Sequence, residues 1–382
     1  MEKQKICIIG GNLTGLVTAI ALSKLNCQID LITGNANQNY QSNRIIAVSE
    51  NNFDFLNKLN IKKSLTKEMW PCSIMKLYTE IRNEKFSKIF ELNNDNKKKR
   101  IFYMLENSKI ANLMMKKIKQ TKSISIINLK KISEIGTSGL LKTIKFNNHT
   151  SKYNLVIVCT GYNSGLVKNF FGEGIIENSY KETAITTILN HRSLKNNTVR
   201  QIFLDKEILA LLPVSNTKTS VVWSVKNKMI NMSDLFFKKK IKFYVKNYLK
   251  NIKFATNIEC KDLTLLIRNK YFVDRTLLFG DALHVMHPFI GQGFNMTLRD
   301  LGTLKKILAQ KIYLGLDVGS SDILSEFSNE TKPRNFIFSI GSDLLKKSLS
   351  FKKTRNNVFR ILNKNNFVKN IFFNIANTGP RF

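Results

Sequence analysis

The chain has 382 residues, of which 43% are hydrophobic and 23% are charged, so it can bury a large core in one or two domains. Its net charge is +34, from 49 Lys and only 12 Arg, and Asn, Ile and Phe are also abundant. This composition is typical of a drift towards AT-rich codons, which would scatter Lys over the surface without any specific acidic partner. Attraction to an anionic membrane surface is the second interpretation. No nucleic-acid partner is expected, because the sequence carries no zinc knuckle, RNA-binding signature or recognition-helix pattern.

Cysteine usage and the first residues favour a cytoplasmic location. The five cysteines are far apart and form no C-x-x-C pair, which is typical of free thiols in a reducing compartment. The chain enters a strand at once, so no signal peptide is expected. No run of about 18 apolar residues predicts a membrane-spanning helix.

The first predicted unit is a βαβ element of the dinucleotide-binding type. A strand at 5–9, a glycine turn at 10–15, a helix to Leu25 and a strand at 28–32 follow one another. Such a turn presents backbone N–H groups to a pyrophosphate. Asn12 stands where a second glycine is usual, and Thr33 stands where an acid usually binds the ribose. The expected cofactor contacts are Gly10, Gly11, Asn12, Gly15 and Thr33.

The middle of the chain is predicted to be mostly β-structure. Strands are expected at 74–78, 124–127, 141–146 and 180–189, and a buried strand is expected to end at Thr160-Gly161. Residues 208–214 and 219–224 are expected to form a β-hairpin around a polar turn. Ser233-Asp234 is expected to cap a helix. Residues 323–375 are predicted to be helical and basic.

Residues 276–304 carry the strongest pattern in the chain. The apolar run 276–279 predicts a buried strand that ends at Gly280 and Asp281, and Gly291-Gln292-Gly293 leads into a predicted helix at 294–308. A carboxylate at the carboxyl end of a strand can accept hydrogen bonds from ligand hydroxyls. A helix that begins at glycine offers free N–H groups and the positive end of its dipole. This pattern predicts a site for a ligand with a polyol chain and an electron-rich ring edge.

The stretch GDALHVMHPFIGQGFN, followed by LRD, resembles the second flavin-binding motif of the FAD-dependent aromatic hydroxylase superfamily. It is most similar to the ubiquinone-biosynthesis hydroxylases that act on 2-polyprenylphenol or 2-polyprenyl-6-methoxyphenol. The resemblance implies that Asp281 contacts the ribityl chain, that Pro288 lies beside the flavin ring, and that the helix start faces its pyrimidine end. The contacts implied for this cofactor are Gly280, Asp281, Pro288, Gly291, Gln292, Gly293, Phe294 and Asn295, with Arg44 and Gly161 from two earlier segments.

The same resemblance implies an α/β fold with two domains and a helical tail. The Rossmann-like FAD-binding domain, of the para-hydroxybenzoate-hydroxylase type, is expected to comprise residues 1–70, 96–172 and 271–345. Residues 71–95 and 173–270 are expected to form a β-sheet substrate domain that provides one wall of an apolar pocket. Residues 346–382 are expected to form a C-terminal helical segment.

The implied function is that of an FAD-dependent aromatic monooxygenase in ubiquinone biosynthesis. NAD(P)H would reduce FAD, O₂ would give a flavin hydroperoxide, and one oxygen atom would pass to the ring of a polyprenylated phenol. The catalytic residues stay unassigned, with Pro288 and His284 as candidates. No metal site is expected, because His284 and His287 have no acidic neighbour in the sequence.

The resemblance also implies the partners and the location. The partners would be a lipophilic polyprenylphenol substrate, an anionic membrane surface and other ubiquinone-biosynthesis proteins. The location would be cytoplasmic, or peripheral on the inner face of the cytoplasmic membrane.

Two alternatives remain open. Asn12, Thr33, Thr160 and Lys168 depart from the family pattern, which favours a flavin- or lipid-binding relative that has lost hydroxylase activity. An FAD-dependent reductase or dehydrogenase that does not use oxygen is the other alternative.

Overall fold

The computed structural model describes residues 3–34, 40–81, 85–93, 100–129, 132, 134–146, 149–172, 175–205, 207–229, 232–287, 291–351, 354–355 and 357–358. Its strands are β1 (Gln4–Ile9), β2 (Cys27–Thr33), β3 (Ile45–Ser49), β4 (Met69–Cys72), β5 (Ile74–Glu80), β6 (Phe86–Asn93), β7 (Phe102–Glu106), β8 (Ile124–Asn128), β9 (Glu134–Ser138), β10 (Leu141–Phe146), β11 (His149–Tyr153), β12 (Leu155–Val158), β13 (Ile175–Asn190), β14 (Thr198–Phe203), β15 (Ile208–Pro213), β16 (Lys218–Lys226), β17 (Lys253–Phe254), β18 (Glu259–Arg268), β19 (Phe272–Val273), β20 (Thr276–Leu278) and β21 (His284–Val285).

The helices are shorter in the first half of the chain and longer at its end. They are α1 (Leu13–Leu22), α2 (Glu50–Leu56), α3 (Lys62–Lys67), α4 (Asn107–Lys119), α5 (Gly165–Phe171), α6 (Asp234–Val245), α7 (Gly293–Tyr313) and α8 (Ser321–Ser350). A π-helical segment, Asn57–Ile61, joins α2 to α3. None of the helices in the described ranges is long and apolar enough to cross a membrane.

A six-stranded sheet forms the centre of the first layer, in the order β19-β20-β12-β1-β2-β8. All neighbours in it are parallel except β19, which pairs antiparallel with β20. Strands covered on both faces are expected to be continuously apolar, and β12 is fully buried along its length. The sheet packs with α1, α4 and α7 in one large apolar core. This is the predicted βαβ layout, with α1 ending at Leu22 and not at Leu25.

A nine-stranded sheet forms the second layer. Its order is β21-β18-β13-β16-β15-β14-β5-β6, with β17 paired to β13. The predicted hairpin is confirmed as β15 and β16, which pair antiparallel from Ile208↔Ser224 to Pro213↔Thr219. These strands come from the two segments assigned to the substrate domain, except β21, which comes from residues assigned to the cofactor domain.

The two faces of this second sheet lie against different parts of the molecule. One face packs against α6 through a core that contains Trp223 and Phe237. The predicted cap of α6 is confirmed, since the Ser233 hydroxyl accepts a hydrogen bond from the Phe236 N–H at 3.3 Å. The opposite face points towards the first layer.

Two connections join the layers. A small sheet, β3-β7-β4, lies beside α7. Helix α8 packs on α7 and also contacts β18 of the second sheet. The predicted boundary at residue 345/346 falls inside α8, which is continuous to Ser350. Most of the predicted C-terminal segment, from residue 359 onward, lies outside the described residues.

Candidate functional site

The central motif folds as a strand, a turn and a helix at the edge of the first layer. β20 is fully buried, and a 3₁₀ turn follows at Gly280–Ala282. Gly280 has φ of +63°, and a Cβ there would lie 2.6 Å from the Thr14 side chain, so only glycine fits where the two cofactor turns meet. Asp281 is half-buried in this turn. The structure therefore brings Asp281 next to the first glycine turn.

The start of α7 leaves space and polar atoms open towards a ligand. A Cβ at Gly293 would meet no atom within 4 Å. The Gln292 side chain is buried, and neither its Oε1 nor its Nε2 has a hydrogen-bond partner among the described residues. A buried amide without partners is unfavourable unless something else binds it. Gln292 is therefore placed to bind a ligand.

Asn295 plays a different part at the same helix start. Its Nδ2 donates to the Ala47 carbonyl at 2.8 Å, and its Oδ1 accepts from the Ser49 N–H at 2.9 Å. Asn52 also donates to this Oδ1 at 2.9 Å. The Asn295 side chain thus holds β3 and α2 against α7. Pro288, a predicted cofactor contact and catalytic candidate, lies outside the described residues.

The first glycine turn is closely packed against the protein. A Cβ at Gly15 would lie 1.8 Å from the Gly10 carbonyl oxygen, and one at Gly10 would lie 2.7 Å from the Cys159 carbonyl oxygen. Thr33 lies over Gly11, where a Cβ would meet its hydroxyl at 1.8 Å. Asn12 is exposed and caps α1 without a side-chain hydrogen bond. Here the turn survives the loss of its second glycine because Asn12 has an ordinary extended conformation.

Tyr40 is a contact at this turn that the sequence did not reveal. Its hydroxyl donates to the Gly11 carbonyl, and its N–H donates to Asn112 Oδ1 at 3.1 Å. A lone tyrosine in a polar segment carries no pattern that would mark it. Its role follows from the fold alone.

The segment that follows β12, at Thr160 and Gly161, also opens into the crevice. Gly161 follows β12, and a Cβ there would meet nothing within 4 Å. The neighbouring Thr160 Oγ1 is buried and has no hydrogen-bond partner in the described ranges. Arg44 lies on the other side, and Lys261 of β18 is close enough to Arg44 and Asp281 for both charges to act on it.

A cavity of about 130 Å³ lies between the two layers. One wall is the inner face of the second sheet, where alternate residues of β14, β15 and β16 point into the space, as a period of two requires. The other wall is formed by β3, β7 and the segment around Gly291–Phe294. The lining is mostly apolar and comprises Arg44, Ile45, Ile46, Ala47, Met75, Phe102, Met104, Val199, Gln201, Ile208, Ala210, Leu212, Val222, Ser224, Met286, His287, Gly291, Gly293 and Phe294. An apolar pocket with the second sheet as one wall is therefore present, and the assignment of that sheet to a substrate domain stays a prediction.

The two histidines of the motif have separate environments. His284 is buried away from the cavity lining, and its Nε2 lies 3.1 Å from Asp300 Oδ2. Asn335 also donates to this oxygen, at 2.7 Å. His287 lines the cavity, and its Nε2 lies 3.3 Å from Glu182 Oε2.

The expectation that these histidines lack acidic partners is wrong. Asp300 lies two helix turns beyond the start of α7 and 16 positions from His284, and Glu182 is 105 positions from His287 on β13. A search for acids close in sequence misses both, because the fold brings the partners together. Of the two catalytic candidates that the motif suggested, His284 contacts Asp300 and does not line the cavity, and Pro288 lies outside the described residues, so neither assignment is tested. His287 is the histidine that faces the cavity.

These residues fit a flavin dinucleotide. Gln292 and Thr160 provide buried polar atoms without hydrogen-bond partners among the residues that the structure describes, and those residues also leave open space beside Gly161 and Gly293. Asp281 provides a carboxylate at the carboxyl end of β20, as expected for binding ligand hydroxyls. The crevice is therefore not filled by side chains at these positions.

Comparison with known proteins agrees with this geometry. A family model described as FAD binding domain matches residues 3–335. The ubiquinone hydroxylase UbiL of Rhodospirillum rubrum is 26% identical over 249 residues, which cover 64% of this chain and 58% of UbiL. The ubiquinone biosynthesis monooxygenase COQ6 of Dictyostelium discoideum is 22% identical over 445 residues, which cover 97% of this chain and 88% of COQ6.

The fold has counterparts among solved structures. PqsL, a probable FAD-dependent monooxygenase from Pseudomonas aeruginosa, superimposes with a TM-score of 0.79 at 13% identity, covering 94% of this chain and 100% of PqsL. The predicted α/β fold of the para-hydroxybenzoate-hydroxylase type is confirmed, as is the resemblance to the ubiquinone hydroxylases. The chain belongs to the FAD binding domain family, and FAD is its cofactor.

Proposed function

We propose that this protein is an FAD-dependent monooxygenase that hydroxylates the aromatic ring of a polyprenylated phenol in ubiquinone biosynthesis, with NAD(P)H as reductant and O₂ as co-substrate. The observation that carries the proposal is the apolar cavity between Gly291–Phe294 and the inner face of the second sheet. Its position suits a ring that must lie beside the cofactor.

The size and lining of the cavity support an aromatic substrate. Its volume is about 130 Å³, and an apolar cavity of about 150 Å³ is known to hold benzene. A single ring therefore fills it, and an isoprenoid tail would extend beyond it. Gln201, Ser224 and His287 are polar groups in the lining that can bind a ring hydroxyl.

The chain's own residues bind and orient the two reactants. Asp281, Gln292 and Thr160 would hold the cofactor, and the glycines at 161 and 293 let it approach the backbone. When bound, FAD supplies the oxygen-activating chemistry. The apolar lining excludes water from the reacting ring, which limits side reactions.

A peripheral membrane location is part of the proposal, because a polyprenylated substrate resides in lipid. The net charge of +34 would favour an anionic surface. Ile337, Leu344 and Phe351 are exposed at seven-residue spacing along α8 and just beyond its end. Sedimentation with anionic but not neutral vesicles would support this location, and equal recovery with both would contradict an electrostatic contribution. Association with other ubiquinone-biosynthesis proteins is proposed on the same grounds of a shared lipid substrate.

The test of activity uses the purified holoprotein and a phenol with a short isoprenoid tail. The phenol should stimulate NAD(P)H oxidation, and the product should contain one oxygen atom from isotopically labelled O₂. Ala210→Phe should abolish the stimulation because the new ring fills the cavity, whereas Ala210→Ser should retain it. Flavin content should be the same in both variants.

Two results would favour the alternatives. Bound FAD without any phenol-stimulated NAD(P)H oxidation would indicate an inactive relative, for which the departures at Asn12 and Thr33 are the motivation. Substrate-dependent turnover without labelled oxygen in the product would indicate a reductase or dehydrogenase.

A further inference from the structure

Two buried side chains, His287 and Lys346, and the partly buried Glu182 between them form a chain of polar contacts that begins at the cavity. His287 lines the cavity, and its Nε2 lies 3.3 Å from Glu182 Oε2 on β13. The second oxygen of Glu182, Oε1, accepts a hydrogen bond at 2.8 Å from Lys346 Nζ on α8. His287 and Lys346 are 3% and 6% exposed. We call these three residues the His287 cluster.

The surroundings fix the orientation of the imidazole. The ring of Tyr180 meets that of His287 edge to face at 5.1 Å, with an interplanar angle of 89°. Lys346 Nζ lies 4.1 Å from the centre of the same tyrosine ring. Asp343, one turn before Lys346, also acts on His287 through its charge. Within the described part of the chain, the groups shown to face the imidazole include Tyr180 and Glu182 from β13, and Asp343 and Lys346 from α8.

The cluster joins the cavity to a second, smaller space. A cleft of about 10 Å³ is lined by Glu182 and Lys346 together with Phe203, Leu204, Glu207, Ile208, Leu349 and Arg355. A space of roughly 10–15 Å³ holds one water molecule. Glu182 retains 16% of its side-chain exposure. A proton that reaches Glu182 thus has a route to water that avoids the apolar cavity.

The charge states suit a base at neutral pH. Burial lowers the pKa of His287, so the imidazole is neutral and can accept a proton. Burial alone would raise the pKa of Glu182, but hydrogen bonds from His287 and Lys346 outweigh it and lower the pKa, which keeps a carboxylate beside the imidazole. Burial lowers the pKa of Lys346, and Glu182 opposes this by stabilising the ammonium.

Resting on the proposed function, we propose that His287 accepts the hydroxyl proton of a phenol bound in the cavity, with Glu182 and Lys346 as positioning residues. The phenol O–H bond breaks, its electron pair stays on the oxygen, and a new N–H bond forms on the imidazole. The imidazolium is stabilised by Glu182, and the proton leaves through Glu182 to water in the cleft. The resulting phenolate has a more electron-rich ring, which favours attack on an electrophilic oxygen atom.

The first test is the pH profile of turnover with a short-tailed prenylphenol. Activity should fall on the acid side as His287 becomes protonated. Glu182→Gln should move this acid limb to lower pH, because Glu182 raises the pKa of His287. Lys346→Met should move it to higher pH, because the ammonium lowers that pKa. Opposite shifts support the proposal, since a purely structural role would give none, and an acid limb at the same pH in both variants would overturn it.

The second test removes the base. His287→Gln should lower kcat by about 10²-fold or more, with KM changed less than threefold, and should abolish the acid limb. Ser224→Ala, at another polar position of the cavity, should weaken substrate binding and leave the acid limb where it is. A His287→Gln enzyme with wild-type kcat and pH profile would refute the assignment.

The third test separates this proposal from the proposed function. A nitrophenol, whose phenolate absorbs visible light, is titrated against pH on the FAD-loaded protein, with no turnover required. The bound probe should ionise at lower pH in the wild type than in the His287→Gln variant. Equal ionisation in both proteins would overturn the role of His287, whereas a probe shift without any hydroxylation would leave that role standing and refute only the hydroxylase.

Discussion

The two ends of the cofactor crevice differ in how far their backbone and side chains are packed and hydrogen-bonded within the protein itself. At the nucleotide end, formed by Gly10–Gly15 with Thr33 and Tyr40, protein atoms pack onto the turn and hydrogen-bond its carbonyl. At the ring end, formed by residues 280–282 and 291–293, the Gln292 amide has no partner among the described residues and Gly293 faces open space. The nucleotide end is therefore built mainly for stability, and the ring end depends on its ligand. Substitutions can test this contrast.

The largest expected effect is on folding at the nucleotide end. Gly15→Ala places a Cβ 1.8 Å from the Gly10 carbonyl oxygen, so backbone must shift, and the free energy of unfolding should fall by about 3 kcal/mol. The matched variant Gly293→Ala adds the same atom where nothing lies within 4 Å, and its unfolding free energy should change by less than about 0.5 kcal/mol. Urea unfolding of the FAD-free proteins measures both. Equal losses would show that the ring end is as tightly packed as the nucleotide end.

A related contrast, between local elements and contacts of distant segments, explains which features could be predicted from the sequence. The βαβ unit, the β15–β16 hairpin and the strand–turn–helix of residues 276–304 are local, so periodicity and turn residues predict them. Tyr40 on Gly11, Asp300 on His284 and Glu182 on His287 are contacts between distant segments. No local pattern encodes such pairs, because they arise only when the two layers and α8 are assembled.

The next effect concerns cofactor retention at the ring end. Asp281→Ala should weaken FAD binding about 10- to 100-fold, because each hydrogen bond to a charged group is worth roughly 1.5–3 kcal/mol. Asp274→Asn, just before the other end of the same strand, is the control, since Asp274 is exposed and pairs with Lys142. Flavin occupancy after desalting and the quenching of flavin fluorescence report the Kd. Undiminished FAD binding by the Asp281 variant would show that this carboxylate does not contact the cofactor.

A smaller effect, on the free energy of unfolding, is expected at Asp300, which holds His284 near the ring end. Asp300 is 1% exposed and is contacted by His284, Asn335 and Arg334. Asp300→Asn replaces charge-assisted hydrogen bonds by neutral ones, so the unfolding free energy should fall by about 1–2 kcal/mol. Glu326→Gln, which removes the exposed α7–α8 ion pair with Lys311, should cost less than about 0.5 kcal/mol. Thermal and urea unfolding compare the two, and a harmless Asp300→Asn change would mean that His284 is held by packing alone.

The smallest effect should come from the nucleotide end, where a threonine replaces the usual acid. Thr33→Val keeps the shape of the side chain over Gly11 and removes only its hydroxyl. If that hydroxyl provides one neutral hydrogen bond to the ribose, FAD affinity should fall by about 0.5–1.5 kcal/mol, or roughly 2- to 10-fold. The Kd is measured beside the unfolding free energy of the FAD-free protein, so that a loss of structure is not counted as a loss of binding. A decrease as large as that of Asp281→Ala would contradict the contrast, because a neutral hydroxyl would then contribute as much to cofactor binding as the carboxylate at the ring end.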